Sequence, residues 1–247
     1  MRRILLTVEY FGLNFAGWQR QDNAVSVQQV LEEKLTEVLN EPVKIHGSGR
    51  TDRGVHAKGQ KAHFDYHGNI PAEKIAFAVN SVLPDDVRIV KSEEADKNLH
   101  AQYSAKKKTY EYRLYASKTL SPIRRFTYAQ VFYDVDRIDF EKMKRAANCL
   151  IGTYDFKGFS STGSNIKNTV RTIYAADLEK NGDEIVFTIT GDGFLYNMVR
   201  IIIGTLVEIA VGILPEDAIT KTLETGARTC AGTTFPPYGL TLLDVEY

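Results

Sequence analysis

The first part of the chain has apolar positions that recur with the period of a strand and then with that of a helix. Every second residue from Ile4 to Tyr10 is apolar, which predicts a half-buried strand. Apolar residues between Val27 and Leu39 then share one helical face, and Ser26 predicts the capping box that starts this helix. Two short strands, a helix opened by Pro71 and a fourth strand follow. This order predicts a β-α-β-β-α-β unit of the ferredoxin-like, split βαβ type.

The second part of the chain repeats this order less clearly. A tyrosine-rich strand is predicted at Thr109–Tyr115, and Asp139 is placed to cap the helix that follows it. Asn181-Gly182 predicts a tight hairpin between two further strands. A long apolar helix from Leu195 to Ile209 and a last strand at Thr241–Tyr247 complete the set.

The two sets of elements predict an α+β fold with two domains. We expect an N-terminal ferredoxin-like domain at residues 1–104 and a C-terminal one at residues 105–247. Their antiparallel sheets are expected to join, with the helices on one face. No clear sequence repeat relates the halves, so the duplication is inferred from element order alone.

Charge is balanced over the whole chain but is unevenly placed. The 31 Lys and Arg residues match 31 Asp and Glu residues, so any attraction for a polyanion must come from local clusters. Basic residues cluster at 50–61, 106–113 and 124–125, while acids concentrate elsewhere, as at 134–141. The clusters are compatible with RNA binding, and equally with the solvated faces of an ordinary soluble protein.

The cysteines and the apolar segments indicate in which cellular compartment the protein is found. Cys149 and Cys230 lie far apart, which favours two reduced thiols in a cytosolic protein. The apolar run near Met1 is too short for a signal peptide. The most apolar stretch, Met198–Leu214, is interrupted by Arg200 and reads as a buried helix. We therefore expect a soluble cytoplasmic protein that does not contact membranes.

The stretch Gly47–Gln60, which we expect to be a shaped loop, is the main candidate for chemistry. It places Asp52 between Arg50 and Arg53 in glycine-rich surroundings that lack the repetitive polarity of a linker. The two guanidinium groups favour the ionised carboxylate, which can act as a nucleophile or a base. An aspartate that only bridges its own loop through backbone amides remains the alternative.

Other site types are poorly supported by the sequence. His63 and His67 would lie about 13 Å apart on one strand, which is too far to share a zinc ion. The spacing of a phosphate-binding P-loop is missing after Gly47. We expect neither a metal nor a cofactor.

Two further segments could bind an aromatic or anionic group. Tyr110 and Tyr112 share one face of a strand next to basic residues, an arrangement that suits base stacking as well as ordinary sheet packing. Arg200 is a lone cation in an apolar helix, so it needs an anionic or hydrogen-bonding partner. Asp52 or a carboxylate elsewhere could be that partner.

The motifs in their order resemble the tRNA pseudouridine synthase A family. The segment Gly49-Arg-Thr-Asp-Arg-Gly-Val-His-Ala57 is similar to the catalytic motif of that family. The similarity extends over nearly the whole chain through further segments: Gly17–Gln21, Lys108–Arg113, Val170–Ile173, Phe194–Arg200 and Pro236–Leu240.

The resemblance implies an enzyme that isomerises uridine to pseudouridine at positions 38, 39 and 40 of the tRNA anticodon stem-loop. It implies a cytoplasmic homodimer whose partner is tRNA and which uses no cofactor. Asp52 falls on the essential aspartate, Tyr110 on the active-site tyrosine and Arg200 on the arginine that pairs with the aspartate. We expect Arg50, which matches a position associated with displacing the target base, to contact the substrate. Further substrate contacts are expected from a set of three residues: Arg53, Lys58 and Leu195.

Three positions depart from the usual family pattern. Arg53 stands where a small residue is common, Ile201 where Asn is frequent, and Phe235 where Ala is common. None of them removes a catalytic group, but a paralogue that modifies other RNA uridines therefore remains an alternative. A non-catalytic RNA-binding protein on the same scaffold is a second one, against which the joint presence of Asp52, Tyr110 and Arg200 argues. A glycosidase is disfavoured, since such enzymes usually need two carboxylates and no second acid stands out near Asp52.

Overall fold

The computed structural model describes residues 1–161, 163 and 167–247. The chain forms two compact units, Met1–Lys106 together with Thr241–Tyr247 (unit 1) and Lys107–Leu240 (unit 2). Five α-helices and ten strands, most of them paired antiparallel, are found in the described residues, which confirms the α+β class.

Unit 1 contains five strands and two helices. In chain order these elements are β1 (Arg2–Tyr10), α1 (Val27–Leu39), β2 (His46–Gly47), β3 (His56–Tyr66), α2 (Ala72–Asn80), β4 (Val87–Ala95) and β10 (Leu240–Glu246). The strand order is β4-β1-β3, with β2 paired antiparallel to β3, so the ferredoxin-like arrangement is confirmed here. Its core is formed by the apolar side of β1, with Ile4, Leu6 and Val8 fully buried, and by the apolar faces of the helices.

Unit 2 contains the remaining strands and helices. They are β5 (Lys107–Ala116), β6 (Ala129–Val131), α3 (Phe140–Asn148), β7 (Gly152–Asp155), β8 (Val170–Asn181), β9 (Glu184–Gly191), α4 (Met198–Ala210) and α5 (Ala218–Thr225). The strand order is β5-β9-β8-β7, with β6 parallel to β5. The predicted hairpin at Asn181-Gly182 is confirmed, since Asn181 and Glu184 are paired residues of β8 and β9.

The last strand of the chain does not group with the half to which the sequence assigned it. The compact units divide between Lys106 and Lys107, and Thr241–Tyr247 belongs to unit 1. There β10 pairs in parallel with β3, through Thr241 with His56 and Leu242 with Ala57. A parallel pairing between such distant segments has no signature in the local pattern, which is why the sequence did not predict it.

The glycine-rich segment is a shorter loop than the sequence indicates. The stretch Gly47–Gln60 was expected to be loop throughout, but β3 already begins at His56. Ala57 and Gln60 pair with Tyr10 and Val8 of β1, so partner strands impose an extended backbone on residues with weak strand preference. The loop proper is therefore limited to residues 48–55.

Candidate active site

The loop 48–55 of unit 1 presents an aspartate between two arginines. It connects β2 to β3, and Asp52 is half-buried while Arg50 and Arg53 are both exposed. Lys58, two residues into β3, is exposed as well. The three cations predicted to contact the substrate are therefore exposed, as an anion-binding role requires, and they flank Asp52 in the sequence.

Thr51 anchors the loop immediately before Asp52. Its hydroxyl forms a buried hydrogen bond of 2.8 Å with the hydroxyl of Tyr10, and its carbonyl accepts a hydrogen bond of 3.1 Å from the backbone N–H of Trp18. Gly17 makes this approach possible, because a Cβ there would lie 2.6 Å from the Thr51 oxygen and its φ is +91°. The backbone entering Asp52 is thus fixed from two sides.

A second group of hydrogen bonds fixes the remainder of the loop. The Ser48 hydroxyl donates to Oε1 of Gln60 at 2.6 Å, and Nε2 of Gln60 donates to the carbonyl of Gly49 at 3.0 Å. The N–H of Val55 donates to the carbonyl of Asp52 at 3.2 Å, which closes a tight turn around the aspartate. Since Ser48 and Gln60 are fully buried, these bonds hold Asp52 in one backbone position without engaging its carboxylate.

Burial keeps the supporting hydroxyl of Tyr10 neutral. Removal from water raises the pKa of Tyr10 well above its ordinary value, and the hydrogen bonds with Thr51 and Gln60 oppose this only in part. The ring of Tyr10 is 3% exposed, so its role is to hold Thr51 from within the protein. The neutral phenol of Tyr10 therefore adds no buried negative charge to the support of the loop that carries Asp52.

Unit 2 carries the predicted stacking residue on β5. Tyr110 is 9% exposed, and its ring meets Phe194 edge-to-face at a centroid distance of 5.1 Å. Phe194 and the buried Leu195 belong to the segment that leads into α4. The sequence motif beginning at Phe194 therefore serves to pack the ring of Tyr110 and set its orientation.

Arg200 lies in the first turn of α4 and is bound to the chain segment before β10. Its Nε donates to the carbonyl of Phe235 at 2.7 Å, while the N–H of Phe235 donates to the carbonyl of Arg200 at 3.1 Å. Its Nη1 donates to Oδ1 of Asn197 at 2.5 Å, and Asn197 has a left-handed backbone at φ 60°. These contacts orient the guanidinium group firmly.

Tyr112 supports the same segment from β5. Its hydroxyl donates to the carbonyl of Pro236 at 2.7 Å, and burial raises the pKa of Tyr112 well above its ordinary value although nearby Arg200 opposes the rise. Tyr112 therefore remains a neutral donor. One face of β5 thus carries both Tyr110 and a residue that positions the segment bound to Arg200.

Lys108 is the cation of unit 2 whose ionisation is most perturbed. Burial, with a smaller contribution from Arg171, lowers the pKa of Lys108 to about 8. With that pKa, Lys108 loses its proton more easily than an ordinary lysine. The negative charge of an approaching phosphate would favour the charged form again.

The predicted residues are thus distributed over two groups, one in each unit. Unit 1 carries Arg50, Asp52, Arg53 and Lys58, and unit 2 carries Tyr110, Leu195 and Arg200. The pairing of Asp52 with Arg200 stays a prediction. Sequence reasoning missed the supporting set Tyr10, Thr51, Gln60 and Phe235, although Gly17-Trp18 and Pro236 lay in segments that the family resemblance had marked.

The described residues contain neither a cluster of metal-ligating side chains nor a helix that could span a membrane. No group of three or more His, Cys, Asp or Glu side chains in the described parts of the chain could hold a metal ion. Within those same parts, none of the helices has the length and apolar character needed to cross a bilayer.

Comparison with known proteins identifies close relatives along the entire length. A family sequence model described as "tRNA pseudouridine synthase" matches residues 6–104 and 146–247. The chain is 45% identical over 247 residues to the tRNA pseudouridine synthase A of Thermoanaerobacter sp. (strain X514), covering 100% of both chains. It is 44% identical over 247 residues to the protein of that name from Acetivibrio thermocellus, again covering 100% of both chains.

Similarity to solved structures is much weaker. The chain of the Cbf5-Nop10-Gar1 complex that it matches has 12% identity and a TM-score of 0.38, with 97% of this chain and 48% of that chain covered. At that score, the structural likeness adds nothing to the sequence relationship.

Proposed function

Because the chain belongs to the tRNA pseudouridine synthase family, and is therefore an isomerase that converts uridine to pseudouridine, we propose that its targets are uridines 38, 39 and 40 of the tRNA anticodon stem-loop. The full-length identity to proteins named tRNA pseudouridine synthase A supports this choice over a paralogue with other targets. It also supports an enzyme over a silent RNA-binding protein.

The fixed presentation of Asp52 is the observation that carries a catalytic role for it. Thr51 is locked by Tyr10 and Trp18, so the backbone of the half-buried Asp52 is held in one position, with an exposed arginine on either side of it in the sequence. Holding a reacting group in place before the substrate arrives lowers the entropic cost of reaching the transition state. An aspartate with a purely structural role would not need exposed cations on both sides.

The reaction needs one group that acts on the ribose. The N1–C1′ bond breaks, the uracil turns, and a C5–C1′ bond forms, while C5 loses a proton and N1 gains one, so that atoms and electrons balance. Asp52 acts on the ribose, by attack on C1′ or by removal of the 2′ proton. No oxidant, reductant or energy source enters this balance, so the chemistry itself calls for no cofactor.

The remaining predicted residues bind and orient the nucleotide. Tyr110, with its ring set by Phe194, stacks on the uracil, and Arg200 pairs with Asp52 to keep the carboxylate ionised. Arg50 takes the place of the target base after that base leaves its stack, a step that costs roughly a few kcal/mol. Arg53, Lys58 and Leu195 make further substrate contacts.

Release of tritium from C5-labelled uridine in unmodified tRNA tests this function directly. Wild-type protein is expected to release tritium, whereas Asp52→Asn releases none and still binds tRNA, because only the group that acts on the ribose is lost. Asp22→Asn, which changes an exposed aspartate outside the loop, is the matched control and should behave like the wild type. Equal release by Asp52→Asn and wild type would refute the catalytic role of Asp52.

We further propose that the protein is a cytoplasmic homodimer. The segment between β5 and β6, together with the residue after β6, exposes Leu120, Ile123, Phe126 and Phe132, of which Ile123 is 93% exposed and Phe132 68%. Apolar side chains exposed together in one part of the chain are typical of a protein–protein contact. A second copy of the chain is the partner that the family relationship supports.

A further inference from the structure

A cluster of aromatic rings lies in unit 1 outside the residues assigned to the reaction. His63 of β3 is 2% exposed; His46 of β2 stacks on it at 5.1 Å between ring centroids, and His100 meets it edge-on at 4.8 Å. Tyr103 stacks on His100 at 4.4 Å and is 80% exposed. We give the name aromatic platform to His46 and His100, which contact the buried His63, together with Tyr103, which stacks on His100.

The turn that carries Tyr103 is held rigidly. The N–H of His100 donates to Oγ of Ser104 at 3.0 Å, and the N–H of Ser104 donates to the carbonyl of His100 at 2.9 Å. The N–H of Ala101 donates to Nδ1 of the buried His63 at 3.1 Å. An exposed aromatic ring on so well ordered a turn binds a flat partner at little entropic cost.

Two rings are uncharged at neutral pH: His100 of the platform and the buried His63 that it contacts. Burial, and then Arg3 and the neighbouring histidines, lower the pKa of His63 to about 4, and burial also lowers the pKa of His100. His63 and His100 therefore add no charge to the platform, and a base can stack on its exposed rings without the cost of removing that charge from water.

A polar pocket adjoins the platform. It has a volume of about 310 Å³ and shares His46 with the platform, while Gln102 of the Tyr103 turn lines it as well. Its wall also includes Gln19, Gly49 and Arg50, so it extends to the loop that carries Asp52. The volume is near the lower end of the range for small-molecule sites, which suits a single ring system with its polar edge on side-chain amides.

We propose that the platform and this pocket bind one unpaired nucleotide of the tRNA other than the uridine that reacts. Its base stacks on the exposed rings, its polar edge meets Gln102 and its phosphate lies near Arg50. An unstacked base has both a π face and a hydrogen-bonding edge, and single-stranded nucleic acid is recognised through stacking on aromatic side chains beside cations.

The charges around the platform favour this ligand over a peptide. Lys44 and His46 are exposed on one side of an extended segment whose alternate residues Val43 and Ile45 are buried, so a cation accompanies the rings. With Arg50 in the pocket wall, the surface offers aromatic rings and positive charge together. The proposal rests on the tRNA-modifying function and adds to it a subsite that anchors the loop next to the target.

The test measures the affinity for an anticodon stem-loop RNA by fluorescence anisotropy, in the Asp52→Asn background so that the RNA is not turned over. Tyr103→Ala is expected to weaken binding about 5- to 100-fold, the loss associated with removal of one stacked base. Tyr103→Trp, which keeps a ring, should retain most of the affinity. Phe77→Ala removes an equally exposed ring from α2 and should bind like the parent protein.

A scan of the RNA loop with abasic residues identifies the bound nucleotide. One abasic position should weaken binding to the parent protein by a factor similar to that of Tyr103→Ala. The same abasic RNA should bind the Tyr103→Ala protein with little further loss of affinity, since the two changes remove the same contact. Unchanged affinity of Tyr103→Ala, or equal costs of every abasic position in both proteins, would overturn the proposal. Tritium release by the wild type is measured separately, so loss of the subsite is distinguishable from failure of the proposed function.

Discussion

Thr51 shows how a single residue can position its neighbour, here the aspartate proposed as the catalytic residue. Its hydroxyl and its carbonyl are bound by different elements, β1 and the segment containing Gly17 and Trp18. Both anchors lie on the N-terminal side of Asp52, while Val55 closes the turn on the other side. The backbone of Asp52 is thereby fixed on both sides by bonds that its neighbours make.

Another single residue, His63, is expected to make stability depend on pH. Its pKa of about 4 lies below the ordinary value of 6.5, so the unfolded chain takes up the proton more readily. The stability that His63 contributes is fully present above pH 6.5 and is lost as the pH falls toward 4. Protonation would also break the hydrogen bond from Ala101 and place a charge beside Arg3, which the nearby Asp65 offsets only partly.

Urea unfolding at about pH 7 and about pH 4.5 measures this effect. The wild type should lose up to about 3 kcal/mol of unfolding free energy between the two. His63→Gln should lose clearly less, while His67→Gln, which alters an exposed ring, should lose as much as the wild type. Equal losses in wild type and His63→Gln would contradict the prediction. Asp65 does not confound the comparison. Its hydrogen bond with Arg3 lowers the pKa of Asp65, so the stability that Asp65 contributes is lost only at a pH below the two that are compared.

At the level of the elements, helix caps and the hairpin could be predicted because their signals are local. Asp139 accepts the hydrogen bond from the N–H of Lys142 at 2.9 Å, as the sequence indicated. Ser26 caps α1 through Gln29, but the Gln29 side chain bonds to Glu33, so only half of the capping box forms. The short helix α5 was missed, since eight residues give too little periodicity to detect.

The candidate site was predictable to the same extent. Asp52 stood out because glycines and arginines surround it in the sequence, and Arg200 because it interrupts an apolar helix. The residues that hold this site in place did not stand out in the sequence. Tyr10 contacts Thr51, and Phe235 contacts Arg200, from segments far away in the chain. Such contacts depend on how elements pack and leave no pattern in the local sequence.

Helix α4 is held against the segment before β10 at a glycine, which gives a prediction for this element. A Cβ at Gly204 would lie 1.9 Å from the carbonyl oxygen of Thr233, so Gly204→Ala must push the segment away. We expect a loss of about 1–3 kcal/mol in unfolding free energy, measured by urea denaturation. Because Arg200 is bound to Phe235 in the same segment, tritium release should fall as well.

Gly193→Ala is the control for this change. A Cβ at Gly193 would be 3.4 Å from its nearest neighbour, an ordinary contact with the flexible side chain of Arg171. Its stability should stay within about 0.5 kcal/mol of the wild type. A Gly204→Ala protein as stable as this control would show that the Thr233 segment moves freely, contrary to the tight packing described above.

For the whole molecule, the exposed apolar residues between β5 and β6 lead to a prediction about assembly. Light scattering should give twice the 27.8 kDa of one chain. Ile123→Asp should shift the protein to single chains, because a buried carboxylate in the interface would lose its water without a partner. Phe77→Asp, at an exposed position of α2, should leave the dimer intact. A wild type that already scatters as one chain would disprove the proposed homodimer.

The parallel pairing of β10 with β3 has a consequence for synthesis of the protein on the ribosome. The strand that completes the sheet of unit 1 is translated only after all of unit 2, although β1, β3 and β4 emerge early. At common elongation rates, translating unit 2 takes on the order of ten seconds. During that interval the part of β3 that pairs with β10, at His56 and Ala57, awaits its partner, so the nascent chain carries an open strand edge, a feature on which chaperones act.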